Sequence, residues 1–146
     1  LAEDESPTLP VLQDVVSKLN EKYDAVMTLQ PTSPFRTIDD INNSIELFEN
    51  DKEADCLVSV VKVPHNYSPE KLMDYDGKYL HGNCNVNRRQ DVQTLYARNG
   101  AAISITKTKR LGEYIFGGNI LPYFMNKLNS IDIDDMEDWN IAEGLF

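Results

Sequence analysis

Residues 25–36 read AVMTLQPTSPFR and join a short apolar run to a polar loop that is bracketed by two prolines. The run before Gln30 has the length and composition that are typical of a buried parallel strand. The two prolines prevent both a continued strand and an immediate helix. Because ligands of open parallel sheets bind beyond the carboxyl ends of the strands, Gln30, Thr32 and Ser33 are predicted to face a polar ligand.

The segments around this stretch alternate between predicted helices and predicted strands. Apolar residues at helical spacing predict an amphipathic helix over 10–21, and a second helix over 38–50 begins with Thr37 as N-cap and Asp40 in a capping-box position. The run CLVSVV at 56–61 predicts another core strand. This order of elements is typical of an α/β protein with a mostly parallel sheet.

The character of the chain changes between residues 64 and 98, where prolines and glycines punctuate a polar segment. Strand candidates at 72–75 and 78–80 flank the dipeptide Asp76-Gly77, which is a hairpin-turn signal. The segment is therefore predicted to form a small β-rich flap. After it the chain is predicted to return to the sheet and to end in a helix, in the segments 101–106, 120–124 and 138–146.

Composition limits the classes of function. The chain has 146 residues, consistent with one domain, and a net charge of −10, which argues against bulk-charge binding to nucleic acid or to an anionic membrane. A small phosphate-bearing ligand remains compatible with a few local basic residues and a metal. Cys56 and Cys84 lack metal-site spacing and form no disulfide framework, so a reducing, cytoplasmic setting is predicted. No segment approaches the roughly 20 apolar residues of a membrane span.

The acidic motif SIDIDDMEDW at residues 130–139 is the strongest candidate for chemistry. In an extended segment, alternation with isoleucine places Asp132 and Asp134 on one face. Mg²⁺ is commonly held by one or two carboxylates together with water and substrate phosphate oxygens. The alternative is a solvated acidic turn before a helix, with Asp138 as the N-cap and a helix dipole that favours negative charge.

Basic residues cluster at Arg88-Arg89-Gln90 and at Arg98-Asn99-Gly100. Guanidinium groups bind carboxylate and phosphate in a bidentate manner, so anion capture is one hypothesis, and surface arginines paired with nearby acids are the other. Asn99-Gly100 also predicts a turn with positive φ. Lys71 is a weaker anion-binding candidate. The sequence contains neither a G-x-G-x-x-G motif nor a P-loop.

Taken together, these motifs resemble those of the acylneuraminate cytidylyltransferases, which are the CMP-sialic acid synthetases and their relatives for other nonulosonic acids. The resemblance covers nearly the whole chain in the same order. It is carried by the motifs QPTSPFR at 30–36, RRQ at 88–90, NGA at 99–101, SIDID at 130–134, DW at 138–139 and IAE at 141–143. It implies a Rossmann-like three-layer fold of the nucleotide-diphospho-sugar transferase type, and an enzyme that joins CTP and an acidic sugar to give CMP-sugar and pyrophosphate.

The resemblance also implies roles for individual residues. Asp132 and Asp134 would be the catalytic carboxylates that hold Mg²⁺, or another divalent cation, against the triphosphate and the anomeric hydroxyl of the sugar. Gln30 would contact the sugar, and Thr32 and Ser33 would shape its pocket.

The flap over residues 64–98 would be the dimerisation arm of a homodimer. By the same resemblance, Arg89 and Lys71 would extend from this arm toward the sugar carboxylate or toward the active site of the partner subunit. Tyr96 and Asn99 would occupy sugar-facing positions.

One part of the family pattern is missing from the printed residues. The family's glycine-rich loop, with the Arg and Lys that cradle CTP, has no counterpart in this sequence. We therefore expect a cytidylyltransferase domain that is incomplete at its N-terminus and inactive as an isolated chain. Two alternatives remain open: a cytidylyltransferase for another acidic sugar, such as the eight-carbon acid of lipopolysaccharide, and a non-catalytic module for sugar-acid binding or dimerisation.

Overall fold

A computed structural model describes residues 6–82, 93–100 and 102–145 of the chain, and these form a mixed α/β structure. The helices are α1 (Thr8–Lys18), α2 (Ile38–Asn50) and α3 (Met136–Glu143). The strands are β1 (Ala25–Thr28), β2 (Cys56–Lys62), β3 (Met73–Tyr75), β4 (Leu80–Gly82), β5 (Tyr96–Arg98), β6 (Ser104–Lys107) and β7 (Ile120–Phe124). No helix in these ranges is long and apolar enough to cross a membrane.

Strand β2 is the centre of the main sheet. Its residue Leu57 pairs with Ile105 of β6 on one edge and with Leu121 of β7 on the other. Val60 pairs with Arg98 of β5, so β5 and β6 follow one another along the same edge of β2. Strand β1 continues the sheet beyond β6.

The prediction of a mostly parallel sheet is not confirmed. In the described residues only β2 and β7 pair in parallel, whereas β6 is antiparallel to both β1 and β2. Strands β1, β2 and β7 do share one direction, as the alternation of helix and strand predicts. The difference arises because β6 lies between β1 and β2, and a short apolar run carries no signal of its direction.

The core lies where α2 packs on this sheet. Leu57 and Ile103 are fully buried, and Phe48 of α2 is 8% exposed. Burying a side chain of this size stabilises a fold by about 1.5–3 kcal/mol. Every residue from Cys56 to Val60 is buried, as the continuous apolar pattern of β2 predicts.

Helix α2 begins as its sequence predicts. The Thr37 hydroxyl accepts a hydrogen bond from the Asp40 amide, and the Asp40 carboxylate accepts one from the Thr37 amide. This reciprocal capping box satisfies donors that an uncapped helix leaves unpaired. For the other two helices the predicted ends differ from the observed ones by a few residues. Helix α1 starts and ends earlier than the predicted range 10–21, and α3 starts at Met136 rather than at Asp138.

Strands β3 and β4 form the predicted hairpin around Asp76-Gly77. The Asp76 carboxylate accepts hydrogen bonds from the amides of Lys78 and Tyr79, and Gly77 takes a φ of +98°. All residues of both strands are exposed. The hairpin therefore forms a separate two-stranded sheet outside the core.

Candidate active site

Three loops meet where β1 ends. Thr28 pairs with Ser104, so the loop after β1 and the turn before β6 lie at the same end of the sheet. The segment after β7 joins them, because the Ile133 amide donates to the Thr32 carbonyl over 2.9 Å. This arrangement brings the residues after Gln30 together with those around Asp132, as both sequence motifs predict.

Ser33 and Asp132 make direct contact across the site. The Ser33 hydroxyl donates to Oδ1 of Asp132 over 3.1 Å, and Ser33 is fully buried. The other carboxylate oxygen of Asp132 lies against Gly100: a Cβ added to Gly100 would be 1.6 Å from it. Gly100 also has a φ of +60°, so both backbone conformation and space require glycine there.

Arg36 fixes the shape of the loop. Its Nη1 donates to the carbonyl oxygens of Gln30, Ser33 and Ala102, over 3.0 Å to Ser33 and 3.3 Å to Ala102. One guanidinium thus ties the loop after β1 to the turn before β6. No sequence motif gives Arg36 a role; a cation directly after a proline-bracketed loop is able to bond to the loop's carbonyl groups, but its bond to Ala102, 66 positions away, has no local signal.

The loop residues differ in what they present. The carbonyl of Gln30 accepts a hydrogen bond from the Ser33 amide over 3.3 Å, which closes a tight turn. The Gln30 side chain is half-buried, whereas Thr32 is exposed. Gln30 and Thr32 therefore remain candidates for ligand contact, while Ser33 contacts Asp132 instead.

Asn99 is held inside the protein. It is 5% exposed, and its amide oxygen accepts a hydrogen bond from Ser59 over 2.6 Å while its amide nitrogen donates to Ser130 over 3.0 Å. These bonds join the turn before β6 to the segment that leads to Asp132. The side chain of Asn99 thus supports the turn at Gly100.

The remaining residues that are predicted to bind substrate are Tyr96, Lys71 and Arg89. Tyr96 is exposed on β5 and packs edge-on against Phe124, with ring centroids 4.8 Å apart. Lys71 is half-buried at the end of a short 3₁₀ helix that precedes the β3–β4 hairpin. Arg89 lies outside the described residues.

Asp134 lies at the start of α3 and is exposed. Its amide donates to the Asp138 carboxylate over 3.0 Å. The N-cap is Asp135, which forms a capping box with Asp138, and not Asp138 itself as the alternative reading of the motif had it. The helix cap therefore accounts for Asp135 and Asp138, whereas in the described part of the chain no donor contacts the Asp134 carboxylate.

The buried carboxylate of Asp40 anchors a turn next to the site. Asp40 accepts hydrogen bonds from Tyr123 over 3.1 Å and from Asn129 over 2.8 Å, in addition to those from Thr37. Burial by itself raises the pKa of Asp40, but the hydrogen bonds outweigh it and hold the pKa below its ordinary value. The turn that precedes Ser130 is thus anchored to α2 through Asn129.

The oxygen-rich cluster at Asp132 suits a hard cation such as Mg²⁺, which takes carboxylate oxygens and water. No group of three or more His, Cys, Asp or Glu residues in the described ranges could enclose a metal ion. A metal ion at Asp132 would need oxygen ligands from water or from a bound molecule in addition to carboxylates of the acidic motif.

Several similar proteins are named as cytidylyltransferases of the kind that the motifs resemble. The N-acylneuraminate cytidylyltransferase of Escherichia coli O18:K1:H7 is 31% identical over 97% of this chain, and that of Streptococcus agalactiae serotype V is 30% identical over 95%. The chain is similar to N-acylneuraminate cytidylyltransferases. This finding confirms the resemblance that the motifs indicate.

These matches cover only part of the relatives. The chain spans 34% of the length of both N-acylneuraminate cytidylyltransferases. The CMP-N,N′-diacetyllegionaminic acid synthase of Legionella pneumophila is 28% identical over 99% of the chain, which spans 65% of that relative. No family model matches the chain.

A solved structure shares the fold. The 4-diphosphocytidyl-2C-methyl-D-erythritol synthase of Anaerococcus prevotii superposes with a TM-score of 0.62 over 97% of this chain and 67% of its own, at 13% sequence identity. Its chain has the same arrangement of elements despite the low identity.

Proposed function

We propose that the chain is part of a cytidylyltransferase that joins CTP and a nonulosonic acid to give CMP-sugar and pyrophosphate. The observation that carries this proposal is the contact between Ser33 and Asp132 over 3.1 Å. It joins the proline-bracketed loop to the acidic motif across 99 positions of sequence. The names of the relatives support the same reaction, since they include transferases for N-acylneuraminate and for a diacetyllegionaminic acid.

Within this proposal Asp132 and Asp134 hold Mg²⁺. Asp132 is fixed by Ser33 and Gly100, whereas Asp134 is exposed and able to adjust to the ion. When bound, the ion would supply positive charge against the phosphate oxygens of the nucleotide. The chain itself orients the Asp132 carboxylate.

The sugar acid lies against the loop after β1. Gln30 and Thr32 present polar groups there, and Ser33 sets the position of Asp132. Tyr96 is available for contact, while Asn99 acts through the turn at Gly100. Lys71 and Arg89 are proposed to bind the sugar carboxylate from the arm, in this subunit or in its partner.

Metal binding provides the first test. We expect Mn²⁺, used in place of Mg²⁺, to broaden the amide NMR signals of residues 131–135 in the purified chain, and we expect Asp134→Asn to weaken this binding about tenfold, since a charged ligand is lost. Asp74→Asn on the exposed hairpin is the matched control and should leave the broadening unchanged. Equal broadening in the Asp134 variant would contradict the metal role.

The sugar side is tested by calorimetry with the same chain. In the presence of Mg²⁺, N-acetylneuraminate, a legionaminic acid and the eight-carbon acid of lipopolysaccharide are compared. Saturable binding of one of the nine-carbon acids supports the proposal, and preference for the eight-carbon acid would replace it. We expect no CMP-sugar from the isolated chain with CTP, because no glycine-rich phosphate loop occurs among its residues.

A further inference from the structure

A polar cavity lies at the carboxyl end of β2, beside the cluster around Asp132. Its volume is about 400 Å³, which is within the size range of small-molecule sites. We call it the Lys62–Lys127 pocket; its walls include Lys62, His65 and Thr94, with Lys127 from the turn after β7 and an apolar patch of Val63 and Leu95. Of the described residues, none that is assigned above to the metal or the sugar lines it.

Backbone hydrogen bonds hold the walls of this pocket in place. The Val63 amide donates to the Leu95 carbonyl over 2.9 Å, which joins the segment after β2 to the segment before β5. The Met125 amide donates to the Val60 carbonyl over 2.9 Å, so the start of the turn that carries Lys127 is attached to β2. Hydrogen bonds within the protein therefore hold the main chain around the cavity.

The charge on the walls has one sign. In the described part of the chain, the cavity is lined by two lysines and a histidine and by no aspartate or glutamate, although the protein as a whole has a net charge of −10. Asn66, Gln93 and Thr94 add uncharged hydrogen-bonding groups. Two lysines on one cavity supply positive charge that complements an anion with two negative groups.

We propose that the Lys62–Lys127 pocket binds a small anion with two or more negative charges, carried by phosphate or carboxylate groups. The pocket adjoins the proposed active site through one turn. The Ser130 amide donates to the Lys127 carbonyl over 3.3 Å, and Ser130 in turn accepts a hydrogen bond from Asn99. Because neither Asp132 nor Asp134 lines the pocket, the anion site stands or fails independently of the proposed function.

The test is an NMR titration of the purified chain at constant ionic strength, in buffer from which divalent cations have been removed with a chelating resin so that no soluble chelator competes with the probes. Inorganic pyrophosphate and citrate are the two probes, and they separate phosphate from carboxylate recognition. We expect saturable shifts of the Val63, Thr94 and Lys127 amides with at least one probe. The double variant Lys62→Gln/Lys127→Gln should bind about tenfold more weakly, because two charge-assisted contacts are lost.

Lys22→Gln is the matched control, since it removes the same charge from an exposed site elsewhere and should bind as the unaltered chain does. Both pocket lysines lie at the protein surface, and circular dichroism will verify that the variants fold. The affinity of the single variant Lys127→Gln for the same probes is measured as well, so that the test does not depend on the double variant alone. Absence of saturable shifts with both probes, or unchanged affinity in the lysine variants, overturns the proposal. The Asp134→Asn variant should retain anion binding whatever its effect on metal.

Discussion

The Asp132 carboxylate has little freedom of position. One oxygen accepts the Ser33 hydroxyl, and the other lies where a side chain at Gly100 would have to be. Ser33 is itself fixed because Arg36 binds its carbonyl oxygen. A carboxylate held in this way is ready to bind a cation without losing rotamer entropy at that moment.

Gly100→Ala tests this arrangement. The added Cβ would collide with Asp132, and alanine is strained at a φ of +60°, so we expect a loss of about 1–3 kcal/mol in the free energy of unfolding and a marked loss of Mn²⁺ affinity. Urea unfolding and the Mn²⁺ titration measure the two effects. Gly112→Ala is the control, because its Cβ meets no atom within 4 Å. Wild-type metal affinity in the Gly100 variant would contradict the argument.

The motifs single out Ser33 and Asp132 separately, because each stands in a local pattern with a chemical meaning, and only the family resemblance implies that they share one site; the structure brings the two residues into contact. The residues that hold this cluster in place, Arg36 and Asn99, could not be identified from local sequence patterns. Arg36 acts on carbonyl oxygens of residues up to 66 positions away, and no local pattern reports such partners. Asn99 was predicted to face the sugar; its observed burial depends on Ser59 and Ser130, which are distant in sequence.

The β3–β4 hairpin leaves large apolar side chains exposed. Tyr75 is 68% exposed and Leu80 is 60% exposed, and they stand opposite each other in the hairpin. Side chains of this size are costly to leave in water, and a second copy of the chain would cover them. This supports the proposal that the flap is a dimerisation arm.

The double variant Tyr75→Ser/Leu80→Ser is expected to weaken self-association at least about tenfold, because each lost apolar contact is worth more than 1 kcal/mol. Sedimentation equilibrium over a range of concentrations measures the change. Ile38→Ser is the control: Ile38 is 76% exposed at the start of α2, so the variant should associate like the unaltered chain. A chain that is monomeric at all concentrations, or a hairpin variant that dimerises normally, would refute the proposal that the hairpin is a dimerisation arm.

Elements with strong local signals were predictable from sequence. The capping box of α2 and the Asp-Gly turn of the hairpin are determined by residues three positions apart or fewer, and both are confirmed. The position of β6 between β1 and β2 was not predictable. It depends on pairing between Thr28 and Ser104, which are far apart in sequence, and antiparallel and parallel core strands have similar compositions.

Across the whole molecule, Asp40 joins three separate parts of the chain. It caps α2, accepts a hydrogen bond from Tyr123 on β7, and anchors the turn that carries Asn129. Burial raises the pKa of Tyr123, and the nearby Asp40 charge raises it further. The ionised form of Asp40 and the neutral form of Tyr123 are therefore the pair that the fold favours.

This pair predicts how stability depends on pH. The pKa of Asp40 is lower in the folded state than its ordinary 3.8, so the unfolded chain binds this proton first as the pH falls. The contribution of Asp40 is complete above about pH 4 and is lost as the pH decreases through the folded-state value. At neutral pH, Asp40→Asn should cost about 1–2 kcal/mol of unfolding free energy.

Urea unfolding from about pH 6 to about pH 3 tests this linkage. The difference between the unaltered chain and Asp40→Asn should shrink at the acidic end. Asp74→Asn on the hairpin is the control and should show no comparable difference at neutral pH. A difference for Asp40→Asn that is constant across the range would show that its carboxylate does not titrate with folding.

The position of β6 also governs the order in which the chain is assembled. Strands β1 and β2 are made early, yet they do not touch each other along their edges, because β6 occupies the space between them. Among the described strands, a nascent chain that has not yet reached Ser104 therefore carries β1 without its pairing partner, and β2 can pair only with β5. Pairing that waits for such a distant segment slows folding. The pairings described here are complete only after β6 and β7 have left the ribosome, and until then the exposed edges of β1 and β2 are candidates for chaperone binding.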